Sequence, residues 1–201
     1  PSRGLGDVYK RQVGDGQLAR MMHTAAIELG LAPRVLAGSP DSSAAQVFGD
    51  VYVGDYTCLS DLQAVVHGAS AVTFDHEHVP SEHLHALMNA GVAVEPRPTA
   101  LIYAQDKLAQ RRRLAELGLP VPQFAPIENE QQAHQFFNDV DGEVCVKATT
   151  GGYDGKGVWF PTSIREMCSL LSPERTLMAE RKIPFDRELS ALCLLYTSPS
   201  P

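Results

Sequence analysis

The chain has 201 residues, of which 44% are hydrophobic and 20% are charged, and its formal net charge is −7. This is the composition of an ordinary globular protein with enough material for one or two cores, and it excludes an intrinsically disordered chain. The acidic balance argues against nucleic acid binding through a broad basic face. No stretch approaches the roughly 20 apolar residues that a membrane span requires. The four cysteines lack paired spacing and predict neither a disulfide framework nor a zinc site.

The two ends of the chain differ in character from the sequence between them. Pro1–Gln12 and residues 193–201 resemble translated adapter sequence from DNA library preparation, so we expect both tails to be foreign. Native sequence then runs from about Val13 to Leu192, and both the natural start and the C-terminal half are missing. On this interpretation only an improvised first strand can form over Val8–Val13. The alternative is a disordered native tail at each end.

The first part of the chain predicts a doubly wound parallel sheet in an α/β domain over residues 13–97. Apolar residues recur at i, i+3, i+4, i+7, i+8 and i+11 from Gln17 to Gly30, which is typical of one helical face. Short apolar strands then alternate with helices, and this alternation favours parallel strands. The predicted strands are Pro33–Ala37, Val51–Val53 and Ala71–Phe74, and further helices are predicted at Leu59–His67 and Ser81–Asn89.

The second part alternates differently and predicts a smaller α+β subdomain over residues 123–192. Before it, Asp106 is a suitable N-cap for a helix that ends at Gly118, so residues 98–122 are assigned as a helical linker. The later strands have the spacing of hairpins with covering helices. The predicted strands are Gln123–Ile127, Glu143–Ala148, Val158–Phe160 and Thr176–Glu180, and the predicted helices are Glu130–Val140 and Ser163–Leu171.

The strongest local signal is the run KATTGGYDGKG from Lys147 to Gly157, which follows an apolar strand directly. Its glycines let backbone N–H groups converge on an anion, and the lysines at both ends add positive charge. It is neither a Walker A loop nor a GxGxxG turn. A glycine loop between two strands predicts a flap over nucleotide phosphates. A surface hairpin with two solvated lysines is the alternative interpretation.

Two further segments carry polar groups at the ends of predicted strands. Gly14-Asp15-Gly16-Gln17-Leu18 precedes the first helix, whose N-terminus presents free N–H groups to an anion, although a plain strand-to-helix turn explains the pattern equally well. Thr73–Val79, with the sequence TFDHEHV, follows the third predicted strand. A metal site is the weaker interpretation there, because alternate side chains point to opposite faces if the strand continues.

The run from Lys147 to Gly157 resembles the glycine loop of the N5-carboxyaminoimidazole ribonucleotide synthase family of ATP-grasp ligases. Its Gly-Tyr-Asp centre is not shared by biotin carboxylase or the glycinamide ribonucleotide ligases, and the resemblance covers essentially all of Val13 to Leu192. It implies a pre-ATP-grasp domain followed by a partial ATP-grasp domain. The implied reaction is the ATP- and bicarbonate-dependent carboxylation of 5-aminoimidazole ribonucleotide through carboxyphosphate, in de novo purine biosynthesis. The fragment alone is expected to be inactive.

The resemblance also assigns residues to roles. Those implied for ATP are Lys107, Lys147, Gly152, Tyr153, Asp154, Gly155, Lys156, Gly157, Val158, Glu180, Arg181, Lys182, Ile183 and Glu188, of which Lys147, Lys156 and Asp154 are implied to be catalytic. Those implied for the ribonucleotide are Gly14, Gly16, Gln17, Leu18, Asp75, Glu77, Tyr153 and Asp154. On sequence alone, Glu180 and Glu188 are ordinary surface acids. Departures from the family pattern are Val158 for glutamine, Ala148 for a basic or polar residue, and Asp75 for glutamate.

ATP and Mg²⁺ are the implied cofactors, with the metal ligands expected beyond residue 192, and no biotin is implied. The implied partners are ATP, bicarbonate and aminoimidazole ribonucleotide, without nucleic acid or membrane. A cytoplasmic location is expected, and a homodimer is implied at full length. Two other functions stay open, namely another ATP-grasp ligase that depends on biotin or formate, and a non-catalytic nucleotide-binding module.

Overall fold

The computed structural model describes residues 10–152, 156–187 and 189. The chain divides into two compact units. The first comprises the chain up to Leu117 together with Thr149–Gly151, and the second comprises Gly118–Ala148 and the chain from Gly152 onward. Within the described residues, no helix is both long and apolar enough to cross a membrane.

The first unit is built on a four-stranded parallel sheet in the order β3-β2-β1-β4. Its strands are β1 Lys10–Val13, β2 Arg34–Ala37, β3 Val51–Val53 and β4 Ala71–Phe74, and its helices are α1 Gln17–Glu28, α2 Leu59–Val66, α3 Ser81–Asn89, α4 Pro98–Gln105 and α5 Lys107–Glu116. The chain winds outward from β1 to β3 and then returns to the other side of β1 with β4. Open parallel sheets bind ligands at the carboxyl ends of the strands where the winding direction changes. The predicted doubly wound sheet is confirmed, and its crevice lies at the ends of β1 and β4.

Strand β1 carries polar side chains in the middle of this sheet. It begins at Lys10, three residues before the predicted domain start, and both Arg11 and Gln12 are buried. The Arg11 Nε donates to the Val65 carbonyl at 2.7 Å and Nη2 donates to the His67 carbonyl at 3.4 Å. A cation at the carboxyl end of a helix is favourable, so Arg11 stabilises the end of α2. Parallel strands are usually continuous apolar runs, and β1 departs from that rule.

The core of the first unit joins the sheet to α2, α3 and α4. Its buried residues are Val13, Leu36, Leu62, Val65, Val66, Val72, Phe74, Val79, Leu84, Leu87, Val94 and Leu101. Leu101 belongs to α4, so the segment assigned as a linker from residue 98 begins inside the first unit. Apolar burial of this kind contributes about 25 cal/mol per Å² of buried surface.

Helix α1 does not bury the apolar stripe that its sequence presents. Ala19 and Ala26 are its buried residues. Leu18, Met21 and Leu29 are 59%, 59% and 72% exposed. Small side chains allow a helix to lie close to a sheet, and here they make the contact in place of the larger stripe. The periodicity predicted the helix, but of the periodic residues only Ala26 is buried, and the other buried residue, Ala19, lies outside the stripe.

The second unit is an antiparallel sheet in the order β5-β8-β6-β7, covered by two helices. Its strands are β5 Phe124–Ile127, β6 Val144–Ala148, β7 Val158–Trp159 and β8 Leu177–Arg181, and its helices are α6 Glu130–Asp139 and α7 Ile164–Ser169. Side chains of β6 and β8 pack with Phe136 of α6 and Met167 of α7. The predicted α+β arrangement of a hairpin with covering helices is confirmed.

Candidate functional site

The glycine loop joins β6 to β7, two antiparallel strands of the second unit. Lys147 pairs with Val158 in the ladder, and the amide of Ala148 donates to the Gly157 carbonyl at 2.8 Å. Gly157 has a φ of +76°, and a β-carbon there would lie 3.2 Å from the Ala148 β-carbon. Glycine is therefore required where the loop returns to the sheet. Lys156 is exposed beside it, whereas Tyr153, Asp154 and Gly155 lie outside the described residues.

Lys147 and Glu180 form an ion pair on the face of the second sheet away from α6 and α7. Glu180 stands opposite Cys145 in the β6–β8 register, so it is the diagonal neighbour of Lys147. The Lys147 Nζ lies 2.5 Å from Glu180 Oε2, and the side chains are 21% and 5% exposed. The expectation that Glu180 is an ordinary surface acid is therefore wrong. A buried carboxylate needs a compensating charge, and Lys147 supplies it.

Backbone hydrogen bonds hold the segment after Glu180 where it leaves the sheet. The Arg181 amide donates to the Gln123 carbonyl and the Lys182 amide donates to the Glu143 carbonyl, each at 2.8 Å. The side chains of Arg181, Lys182 and Ile183 are exposed. Glu188 lies outside the described residues.

Lys107 is the first residue of α5 in the first unit. The Asp106 carboxylate caps this helix, since its Oδ1 accepts from the amides of Leu108 at 2.8 Å and Ala109 at 3.0 Å. The predicted N-cap is confirmed. The Lys107 amide donates to the Thr149 carbonyl at 2.8 Å, which fixes the start of the helix.

A cavity of about 850 Å³ opens at the carboxyl edge of the first sheet. Five of the residues predicted for the ribonucleotide line it, namely Gly14, Gly16, Gln17, Leu18 and Asp75. Its other lining residues are Asp15, Leu36, Gly38, Val53, Gly54, Asp55, Tyr56, Asp61, His76 and His78. Glu77 is not among the lining residues. The cavity lies where the winding of the sheet changes direction, which is the position that the topology favours for a ligand.

Asp75 holds the glycine loop against the start of α1. Its Oδ2 accepts from the Ala19 amide at 3.0 Å, and its Oδ1 accepts from Gln12 Nε2 at 3.2 Å. Gly14 has a φ of +108°, and a β-carbon there would lie only 1.9 Å from Asp75 Oδ1. The Asp75 carboxylate thus accepts a hydrogen bond from one of the N–H groups at the start of α1 that have no partner within the helix. Among the described residues, the amides of Gln17 and Leu18 have no hydrogen-bond partner and remain for a ligand.

The aromatic side of the cavity was not foreseen in the sequence. Strand β4 ends at Phe74, so the strand that would place His76 and His78 on the face opposite to the acidic residues does not continue through this segment. Their ring centroids lie 5.6 Å apart, and the Tyr56 ring lies 4.7 Å from that of His76. Tyr56 follows β3 and meets His76 only because β3 and β4 belong to one sheet, so no local signal points to it.

Burial lowers the pKa of His76 below its ordinary value, against the opposing effect of the neighbouring Asp75. At neutral pH the imidazole is therefore uncharged. Within the part of the chain that the structure describes, no group of three or more His, Cys, Asp or Glu side chains is placed to hold a metal ion.

Comparison with known proteins agrees with both units. Residues 12–105 match the ribonucleotide synthetase preATP-grasp domain family, and residues 112–196 match the ATP-grasp domain family. The chain is 60% identical over 184 residues to an N5-carboxyaminoimidazole ribonucleotide synthase of Corynebacterium ammoniagenes, which covers 90% of this chain. It spans 45% of that relative's length.

Solved structures agree with this likeness. The crystal structure of an ADP complex of an N5-carboxyaminoimidazole ribonucleotide synthetase is 27% identical in sequence and superposes with a TM-score of 0.80. The match covers 89% of this chain and 48% of the crystallised chain. The corresponding enzyme of Thermus thermophilus is 29% identical with a TM-score of 0.78 over the same shares. The chain therefore belongs to the N5-carboxyaminoimidazole ribonucleotide synthase family of ATP-grasp proteins.

Proposed function

We propose that this chain is the nucleotide- and substrate-binding part of an ATP-dependent carbon–nitrogen ligase that carboxylates 5-aminoimidazole ribonucleotide. The observation that carries the proposal is the glycine hairpin whose strand lysine, Lys147, is held by the buried Glu180. A glycine loop with a fixed ammonium group at its base suits nucleotide phosphates. The 60% identity to a named synthase supports the substrate.

On the nucleotide side, Lys147 and Lys156 neutralise the phosphates and are proposed as catalytic together with Asp154. Lys107 and the flap residues Gly152, Tyr153, Gly155, Gly157 and Val158 are proposed to complete the phosphate contacts. The backbone of residues 180–183 (Glu180, Arg181, Lys182 and Ile183) is proposed to form hydrogen bonds with the adenine edge. Glu188 is proposed to bind the ribose hydroxyls. Val158 offers a backbone contact alone, because it lacks the side-chain donor of the glutamine that is usual there.

On the substrate side, the loop Gly14–Leu18 is proposed to bind the ribonucleotide phosphate through the amides of Gln17 and Leu18. Asp75 and Glu77 are proposed for the same substrate, with Tyr153 and Asp154 of the flap. The Asp75 carboxylate already accepts from the Ala19 amide. Its contribution is therefore to fix the loop that receives the phosphate.

The proposed chemistry has two stages. A bicarbonate oxygen attacks the γ-phosphorus of ATP, and ADP leaves with the electrons of the broken P–O bond, giving carboxyphosphate. The exocyclic amine then takes the carboxyl group, inorganic phosphate leaves, and the amine loses a proton. Such transfer depends on positioning and on neutralising charge, which Lys147 and Lys156 provide.

Mg²⁺ belongs to this proposal as a partner of ATP, but no metal donor cluster is present within the described ranges. We propose the divisions 13–97 for the substrate-phosphate domain, 98–122 for the helical linker and 123–192 for the ATP-grasp subdomain, between tails 1–12 and 193–201. A homodimer and a cytoplasmic location are further proposals from the family.

The test is a chimera in which residues 13–192 replace the matching part of the Corynebacterium ammoniagenes relative. We expect ADP release with ATP, Mg²⁺ and bicarbonate to rise when aminoimidazole ribonucleotide is added. Lys147→Met should abolish that rise, because the transferred phosphate loses its fixed positive charge, and a loss of at least 100-fold is expected for such a group. Glu143→Gln, at an exposed position of the same unit, is the matched control.

Two outcomes would favour other functions. Stimulation by biotin or by formate and glycinamide ribonucleotide, in place of aminoimidazole ribonucleotide, would keep the fold and discard the substrate. ADP binding without turnover under any of these conditions would favour a non-catalytic nucleotide-binding module.

A further inference from the structure

His76 occupies a fixed position in the wall of the first unit's cavity. Its ring lies against Tyr56, with an interplanar angle of 55°, and stacks on His78 with an angle of 28°. Contacts on two sides leave the imidazole little freedom to rotate, so its nitrogen atoms have defined positions.

The backbone defines which nitrogen of His76 carries the proton. The amide of His78 donates to His76 Nδ1 at 3.2 Å. A nitrogen that accepts a hydrogen bond has no proton of its own, so the neutral ring carries its proton on Nε2. Within the described part of the chain, Nε2 has no hydrogen-bond partner. Its N–H is available to a ligand in the cavity.

The titratable groups around His76 come from three segments. Asp75, Glu77 and His78 belong to its own loop, Asp15 to the glycine loop, and Tyr56 to the loop after β3. Burial is the largest influence, and it lowers the pKa of His76. The imidazole thus stays uncharged although carboxylates stand nearby.

We propose that His76 is a ligand-binding residue whose Nε2–H donates to an uncharged acceptor on the ribonucleoside part of the substrate. The inference rests on the proposed function, which supplies the ribonucleotide. A ribose oxygen or a ring nitrogen is an acceptor of this kind.

The cavity's charge favours an uncharged acceptor over the phosphate at His76. The carboxylates of Asp15 and Asp75 line the same wall, and no Lys or Arg is among the described lining residues. A neutral imidazole adds no positive charge that offsets their repulsion of a dianion. The phosphate is bound instead by the amides of Gln17 and Leu18 at the start of α1.

The experiment measures the binding of aminoimidazole ribonucleotide and of its dephosphorylated nucleoside to the whole chain by calorimetry. His76→Phe keeps a ring beside Tyr56 and removes both nitrogens. It should therefore lower the affinity for both ligands by the same factor, about fivefold to tenfold. His76→Gln places an amide donor near the Nε2 position and should restore most of the affinity. His85→Gln, at an exposed position of α3 outside the cavity wall, is the matched control and should change affinity by less than about twofold.

The outcomes separate this proposal from the function on which it rests. If His76→Phe weakens binding of the phosphorylated ligand alone, His76 contacts the phosphate. If His76→Phe binds both ligands as the unaltered chain does, His76 contacts neither the phosphate nor the nucleoside. Either result overturns the proposal and leaves the proposed function standing. Failure of the unaltered chain to bind either ligand would contradict the proposed substrate and the role of His76 together. If His76→Phe does not fold, the imidazole ¹⁵N signals of the unaltered chain decide, because the Nε2 signal must shift when the nucleoside binds.

Discussion

Lys147 is held in place by a carboxylate of the protein before any nucleotide arrives. Its ammonium group has three donors, and Glu180 accepts from it at 2.5 Å. The remaining donors are therefore presented from a fixed point at the base of the glycine hairpin. A long flexible side chain would otherwise lose rotamer entropy on meeting a phosphate, and the pair removes part of that cost beforehand.

Breaking this pair should destabilise the second unit strongly. Glu180→Ala leaves the half-buried ammonium of Lys147 without its counter-charge, and we expect the free energy of unfolding to fall by about 3 kcal/mol. Chemical denaturation monitored at Trp159, which lies in β7 of the same unit, measures the change. Glu143→Ala is the control, because Glu143 is exposed and in the same unit, and its loss should cost below about 0.5 kcal/mol. Equal losses from the two variants would show that the pair contributes no specific stability.

At the scale of whole elements, α5 depends on its cap more than on packing. None of its residues is buried, so it lacks the apolar face that stabilises most helices of a folded domain. Asp106 supplies two amide contacts at its first turn, to Leu108 and Ala109. A local polar contact therefore decides where this helix begins, and with it where Lys107 lies.

Asp106→Ala should fray the first turn of α5. We expect a cost of about 1 kcal/mol, visible as faster amide hydrogen exchange at Leu108 and Ala109. Asp106→Asn keeps a side-chain oxygen that accepts from the same amides, and it should preserve most of the protection. Unchanged exchange rates in Asp106→Ala would mean that the Lys107 amide contact to Thr149 holds the turn without the cap.

The sequence predicted elements well where the signal is local. Helical periodicity, short apolar runs and the Asp106 cap predicted the strands and helices to within a few residues. The burial of individual side chains was harder to predict, because it depends on which elements pack against each other. Glu180 looks like a surface acid until the β6–β8 register places it beside Lys147. The stripe of α1 looks like a buried face, yet Ala26 is its only buried member. His76 and Tyr56 are 20 positions apart in the chain, and only the parallel sheet brings them together.

At the scale of the whole molecule, most of the described residues proposed for the ribonucleotide belong to the first unit, and most of those proposed for ATP belong to the second. The ribonucleotide cavity is lined by residues of the first unit alone. The Lys147–Glu180 pair and strands β6 and β7 belong to the second. A ligand that binds only the native form stabilises it by about RT ln(1 + [L]/Kd), and the gain applies to those amides whose exchange requires the bound region to open.

The two ligands should therefore protect different amides in the same chain. At about 100 times its Kd, ADP should slow hydrogen exchange in β6 and β8 by up to about 100-fold, equivalent to about 2.7 kcal/mol, because opening these strands releases Lys147 from the nucleotide. Exchange in β1 and β4 should change little with ADP and should slow instead with aminoimidazole ribonucleotide, which contacts the loops at the ends of those strands. Mass-spectrometric hydrogen exchange of peptides from each strand measures both effects. If ADP protected β1 and β4 as strongly as β6 and β8, the proposal that ADP binds mainly to the second unit would be wrong, since nucleotide binding would then raise the opening free energy of both sheets.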